Sequence, residues 1–131
     1  PQGSADVLIG FEPGEAAANL GYLKKGGTLI VCSSEIKPVT AALGKSDYDG
    51  MASVRWLKDT VDKCYVIDPD EICQACGSPK VLNVALVGAL AATGEMDITV
   101  EEIEKALAVK LKPQLLDMNI KALHMGADKI R

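Results

Sequence analysis

The chain has 131 residues, a formal net charge of −4, 48% apolar residues and only 4% aromatics. That length fits one domain, expected to run over residues 1–131. Abundant apolar residues with weak net charge exclude intrinsic disorder. The excess of Asp+Glu (18) over Lys+Arg (14) argues against nucleic acid or an anionic membrane as the main partner.

Four cysteines are too few for a disulfide scaffold, which makes a reducing cytoplasm the expected location. The opening Pro1-Gln2-Gly3-Ser4 has no initiator Met and no signal-peptide pattern, so the chain is expected to be a fragment of a longer domain. The longest apolar stretch, Val81 to Ala92, is interrupted by Asn83 and Gly88 and falls short of the roughly 20 residues a membrane span needs.

In chain order, the first element is the run Val7-Leu8-Ile9-Gly10-Phe11. It does not alternate with polar residues and so reads as a strand covered on both faces, as in parallel sheets. Ala16, Leu20 and Leu23 then fall at i, i+4 and i+7 and predict a helix over Glu15 to Lys25, stopped by Gly26-Gly27. A second strand, Thr28 to Cys32, completes a βαβ unit, whose crossover is right-handed in nearly all cases.

Ser33 to Gly50 contains Pro38, Gly44, Asp47 and Asp49, all turn formers, and predicts a long loop. A helix from Met51 to Asp62 follows, with Val54, Leu57 and Val61 on one face and Trp56 on the other. Trp56 reads either as packing under that loop or as contact with a partner chain, where tryptophan is enriched. Cys64-Tyr65-Val66-Ile67-Asp68 is the third strand.

Beyond it the chain reads as helical to its end. Ser78 is a plausible N-cap, with Pro79 at the first helical position, where its missing N–H costs nothing. The helix from Pro79 to Thr93 is apolar nearly all round and needs cover on most sides. Asn83 lies inside it and must find partners or cost about 1–3 kcal/mol. It reads as a tie to a neighbouring backbone or as a ligand contact.

Thr99 and Glu102 form a capping box, with Ile98 and Ile103 as its hydrophobic staple. Val100, Ile103, Leu107 and Leu111 give that helix its inner face. The last helix, Pro113 to Gly126, turns Leu116, Ile120 and Leu123 inward. Asp117, Lys121, His124 and Asp128 fall on its other side, so the only histidine is expected on a wet, charged face. That placement argues against an acid–base enzyme built around it. Together these elements predict an α/β fold: a three-layer, Rossmann-like, mostly parallel sheet with flanking helices and a helical C-terminus.

Open parallel sheets bind ligands beyond the carboxyl ends of their strands. Here those ends carry Glu12-Pro13, Cys32-Ser33-Ser34-Glu35 and Asp68-Pro69-Asp70. Glu12, Pro13, Ser33 and Ser34, together with Asn83, are the candidate ligand or subunit contacts. Asp68 and Asp70 read as turn chemistry, with magnesium coordination as the alternative. There is no G-x-G-x-x-G, no P-loop and no G-x-S-x-G, and no residue is assigned as catalytic.

Cys73-Gln74-Ala75-Cys76 offers two of the four ligands of a zinc or iron–sulfur site, but a second pair is missing from the sequence. With the next helix starting at Ser78-Pro79, the pair is expected in a loop. Cys32 ends a strand and the Cys73 loop follows one, which places both toward one sheet edge. The pair is open to three readings: incidental cysteines, a regulatory disulfide, or a weak metal site.

Several segments, in order, resemble one family. Ala5 to Ala16 resembles its first strand-to-helix stretch, and Gly26-Gly27-Thr28-Leu29-Ile30-Val31 its next strand. Ile36-Lys37-Pro38-Val39 is similar to the proline-bearing loop that follows. Gly77 to Leu90 resembles its Asn-bearing apolar helix, and Asn119 to Gly126 its closing helix.

The family is the gamma subunit or domain of 2-oxoacid:ferredoxin oxidoreductases, of the pyruvate, ketoisovalerate and indolepyruvate type. The resemblance implies an accessory subunit, inactive alone, of a complex that oxidatively decarboxylates 2-oxoacids and passes electrons to ferredoxin. It also implies that thiamine diphosphate, Mg, iron–sulfur clusters and CoA belong to the full complex, with no cofactor bound by this chain alone. The family's glycine-rich N-terminal segment has no counterpart here, so no phosphate contact is carried over from it. Two other readings stand beside this one: a stand-alone nucleotide- or CoA-binding module, and a thiol or zinc regulatory domain.

Overall fold

The computed structural model describes residues 1–33 and 50–131. Backbone packing divides the chain into two compact units, Pro1–Val66 and Ile67–Arg131.

The first unit is built on a parallel sheet of order β1-β2-β3, formed by β1 (Ala5–Gly10), β2 (Leu23–Cys32) and β3 (Lys63–Ile67). Strands β1 and β2 pair in register from Val7↔Thr28 to Gly10↔Val31. Leu29, Ile30, Val31 and Cys32 are fully buried, as an unalternating aliphatic strand requires. Helices α1 (Pro13–Ala18) and α2 (Gly50–Thr60) supply Ala16 and Leu57 to one core with Leu29 and Val31, against which Leu8, Leu20 and Val61 also pack. Gly10 lets α1 approach the end of β1, because a Cβ there would lie 2.6 Å from that of Ala16.

One expected boundary is wrong. The helix predicted over Glu15 to Lys25 ends at Ala18, passes through a 3₁₀ turn at Leu20–Tyr22, and gives way to β2 at Leu23. Gly26-Gly27 therefore bend a strand instead of stopping a helix. The pairing jumps from Ala5↔Leu23 to Val7↔Thr28, so β2 carries extra residues between these two pairs, and Gly26 supplies a left-handed φ of 80°. Lys24 pairs with Asp6 at 2.7 Å across this irregularity. Glycine's conformational freedom serves a helix stop and a bulge equally well, so the local sequence could not separate them.

The second unit is helical: α3 (Pro69–Cys76), a 3₁₀ turn (Pro79–Val81), α4 (Leu82–Ala92), α5 (Val100–Lys110) and α6 (Pro113–Asp128). The Cys73–Cys76 segment, expected as a loop, is the end of α3. Asp68 and Pro69 start that helix, and Gly77, with φ of 81°, ends it. The capping box forms as expected: Glu102 N–H donates to Thr99 Oγ1 and Thr99 N–H to Glu102 Oε1, each at 3.1 Å.

Helices α4 and α6 cross backbone to backbone. A Cβ on Gly88 would run into the Leu123 carbonyl, and one on Gly126 into that of Ala85. Around this crossing Ala91, Val100, Ile103, Leu123 and Ala127 form the core, with Val84, Ala92 and Leu107 packed against it. Among the described residues, no single helix is long and apolar enough to cross a membrane.

Candidate functional site

The carboxyl edge of the β1–β2 pair follows directly from the register. Gly10 pairs with Val31, so Phe11-Glu12-Pro13 and Ser33 follow the ends of two neighbouring parallel strands. Pro13 is fully buried, Glu12 is half-buried and Ser33 is half-buried. The structure thus brings three of the predicted contacts to one edge. Ser34 lies outside the described residues, as do Glu35 and the Ile36-to-Val39 segment. Asn83 belongs to the second unit. It is exposed on α4, contrary to the expectation that the fold would bury it and tie it to a backbone. The α4–α6 crossing uses the other side of the helix, with Ala85, Leu86, Gly88 and Ala89 buried.

Electrostatics decides what this edge can hold. Amides at a helix start usually attract anions. Here the Glu12 carboxylate already occupies them, accepting from Gly14 N–H and Glu15 N–H, each at 3.2 Å. Asp68 does the same at α3, accepting from Asp70 N–H at 3.0 Å and Glu71 N–H at 3.5 Å. Each carboxylate is followed by a proline in the first helical turn. Asp68 is therefore an N-cap, in keeping with its turn-chemistry reading, and Glu12 is a structural cap as well as an edge residue.

Phe11 was missed by the sequence reading, which placed it inside the strand. The strand ends at Gly10, and Phe11, the only phenylalanine, is 56% exposed beside Glu12. The available signal was the glycine before it and the Glu-Pro start after it.

The remaining titratable groups are arranged as follows. His124 is half-buried rather than fully wet. Its Nε2 meets Glu104 Oε1, and Arg131 donates to its Nδ1 at 3.0 Å. Guanidinium only donates, so Nδ1 carries the lone pair and Nε2 the proton directed at Glu104. This is an inter-helix tie with both ring nitrogens engaged.

The Cys73 and Cys64 thiols are both pushed above the usual value by burial. Asp70 and Cys76 raise Cys73 further, while Lys58 partly offsets the effect at Cys64. Activated thiols have lowered values, so Cys73 is not a poised nucleophile. Cys32 is completely buried. Trp56 is 49% exposed, and the loop expected above it lies outside the described residues. A cavity of about 290 Å³ lies at the bulged start of β2, lined by Leu20, Leu23, Lys25, Thr60 and Asp62 among others.

Among the described residues, no three His, Cys, Asp or Glu side chains are grouped to hold a metal. Cys73 and Cys76 on α3 supply two of the four thiolates that an iron–sulfur cluster takes.

Residues 1–129 match the family model of pyruvate ferredoxin/flavodoxin oxidoreductase. The chain belongs to this family. It is 30% identical over 128 residues to indolepyruvate oxidoreductase subunit IorB of Thermococcus kodakarensis, covering 96% of this chain and 63% of that protein. The same subunit of Archaeoglobus fulgidus is 31% identical over 127 residues, again covering 96% of this chain and 63% of the relative. The chain therefore spans somewhat under two-thirds of the relatives it matches.

The gamma subunit of a keto/oxoacid ferredoxin oxidoreductase from Geobacter sulfurreducens shares the fold, with TM-score 0.68, 23% identity, and coverage of 96% of this chain and 62% of that one. Pyruvate oxidoreductase subunit PORC from Thermotoga maritima superposes with TM-score 0.65 at 20% identity, over 98% of this chain and 65% of its own. These likenesses agree with the α/β expectation of a parallel sheet with flanking helices and a helical C-terminus.

Proposed function

We propose that this chain is part of the accessory, gamma-type subunit of a cytoplasmic 2-oxoacid:ferredoxin oxidoreductase. It would act with partner subunits that oxidatively decarboxylate the 2-oxoacid and deliver electrons to ferredoxin. The family match over residues 1–129 carries this reading. That one match also supports taking both compact units as one functional domain.

In this proposal thiamine diphosphate, Mg, iron–sulfur clusters and CoA sit on other subunits. The capped helix starts favour that assignment over a free-standing nucleotide- or CoA-binding module, because a phosphate arriving at α1 would meet the Glu12 carboxylate instead of free amides. Glu12, Pro13, Ser33 and Ser34, with Asn83 on α4, are proposed as contacts to ligand or to partner subunits.

The test is reconstitution. The isolated chain should show no 2-oxoacid-dependent dye reduction, and activity should appear when it is combined with its co-purifying partners. Full turnover by the isolated chain would overturn the proposal. Micromolar CoA binding by the chain alone in calorimetry would transfer support to the binding-module reading.

A further inference from the structure

The chain changes the sign of its charge along α5. Glu95 to Glu104, which leads into the helix and through its first turn, holds five carboxylates and no Lys or Arg. Lys105 to Leu116, which leads out of it, holds three lysines and no carboxylate. Two of the carboxylates serve the fold, since Glu102 closes the capping box and Glu104 meets His124. Asp97 and Glu101 on the acidic side, and Lys105, Lys110 and Lys112 on the basic side, are exposed. None of these five belongs to an ion pair among the described residues.

Both ends also leave apolar side chains in water. Met96 and Ile98 are 49% and 42% exposed before the helix, and Val109 is 85% exposed near its end. Val100, Ile103 and Leu107 turn into the core of the second unit. At about 100° per residue, Glu101, Lys105 and Val109 fall on the opposite side of α5. The helix macrodipole accounts for acids in the first turn and lysines in the last. It does not account for Asp97 and Lys112, which lie outside the helix, or for the exposed Val109.

We propose that the outer side of α5 is an isologous interface, on which a second copy of this chain docks antiparallel. A two-fold axis sets one surface against itself with its direction reversed, so a stripe that runs from acidic to basic meets its own complement. Glu101 of each copy then faces Lys105 of the other. The same alignment brings Asp97 toward Lys110 and Ile98 toward Val109 of the second copy, because each pair has nearly the same midpoint along the chain as Glu101 and Lys105. Parallel docking would set carboxylates against carboxylates and is opposed by charge. The charges fix direction and register, and covering Val109 and Ile98 supplies the apolar burial.

The experiment is sedimentation equilibrium of the full 131-residue chain from about 1 μM to about 1 mM. A monomer–dimer equilibrium should appear, and it should weaken from about 0.15 M to about 1 M salt. Lys105→Glu and Glu101→Lys should each raise the dimer Kd at least roughly tenfold, because the two-fold axis counts each change twice. An equimolar mixture of these two variants should form a heterodimer, since every facing pair is then opposite in sign again. Val109→Ser should weaken the dimer and Lys63→Glu, on β3, should not. Circular dichroism checks that each variant is folded.

A chain that stays monomeric over this range would overturn the interface. So would a dimer that both charge reversals leave unchanged, or reversed variants that fail to associate when mixed. A monomeric chain whose Lys105→Glu variant loses its co-purifying subunits would give this face to a different protein, and would overturn the proposal equally. Failure here leaves the subunit assignment untouched, because that assignment is read from reconstituted turnover.

Discussion

Single side chains set most of the chemistry at this protein's helix starts. Glu12 and Asp68 each turn a carboxylate back onto two amides of their own helix. Glu12→Ala should lower stability by about 1 kcal/mol, read from the urea midpoint. Glu12→Gln should recover part of that loss, since an amide oxygen still accepts from the same N–H groups.

The raised thiols give a pH dependence of definite sign. A thiol whose pKa is higher in the folded than in the unfolded state holds its proton more tightly when folded. Its stabilising contribution is therefore complete at neutral pH and declines as pH climbs past the ordinary thiol range. Urea midpoints should fall on going from about pH 7 to about pH 10, and Cys64→Ala with Cys73→Ala should flatten that fall. A steeper fall in the double variant would refute the assignment. The Asp68-Pro69-Asp70 run was visible in the sequence as turn chemistry, whereas Glu12 was read only as an edge contact and its capping role appeared with the fold. The direction of the thiol shifts was not visible, because burial and the neighbours Asp70, Cys76 and Lys58 are assigned only by the folded chain.

At the scale of elements, the α4–α6 crossing is the most constrained contact. Gly88 and Gly126 leave no room for a Cβ because backbone carbonyls occupy the space. Gly88→Val and Gly126→Val should each destabilise by about 1–3 kcal/mol or more, with a matching drop in melting temperature. Thr99→Ala should cost about 1 kcal/mol by opening the capping box. The capping box was legible because all its atoms lie within four consecutive residues. The glycine crossing was not, since Gly88 reads locally as a mere interruption of an apolar run and its partner lies 38 positions away, at Gly126. The same limitation moved the start of β2. Spacing alone placed Leu20 and Leu23 on a helical face, whereas pairing of Leu23 with Ala5 draws that segment into the sheet.

At the scale of the whole molecule, some large apolar side chains stay exposed among the described residues. Phe11 at the carboxyl edge of the sheet and Val87 on α4 are 56% and 41% exposed. If the proposed assembly uses these faces, Phe11→Ala and Val87→Asp should leave the urea midpoint within about 0.5 kcal/mol. Both should reduce recovery of partner subunits on co-purification and lower reconstituted turnover in proportion. Unchanged recovery in both variants would place the interface elsewhere.

The sequence by itself determined that three aliphatic runs are strands, the Thr99–Glu102 capping box and the family resemblance, because burial pattern and capping chemistry are written in neighbouring residues. Only the tertiary structure decided where glycines bend a strand or admit a crossing helix, and that Asn83 faces outward. Those outcomes depend on which distant backbone arrives at a given position, and that is settled when the elements pack.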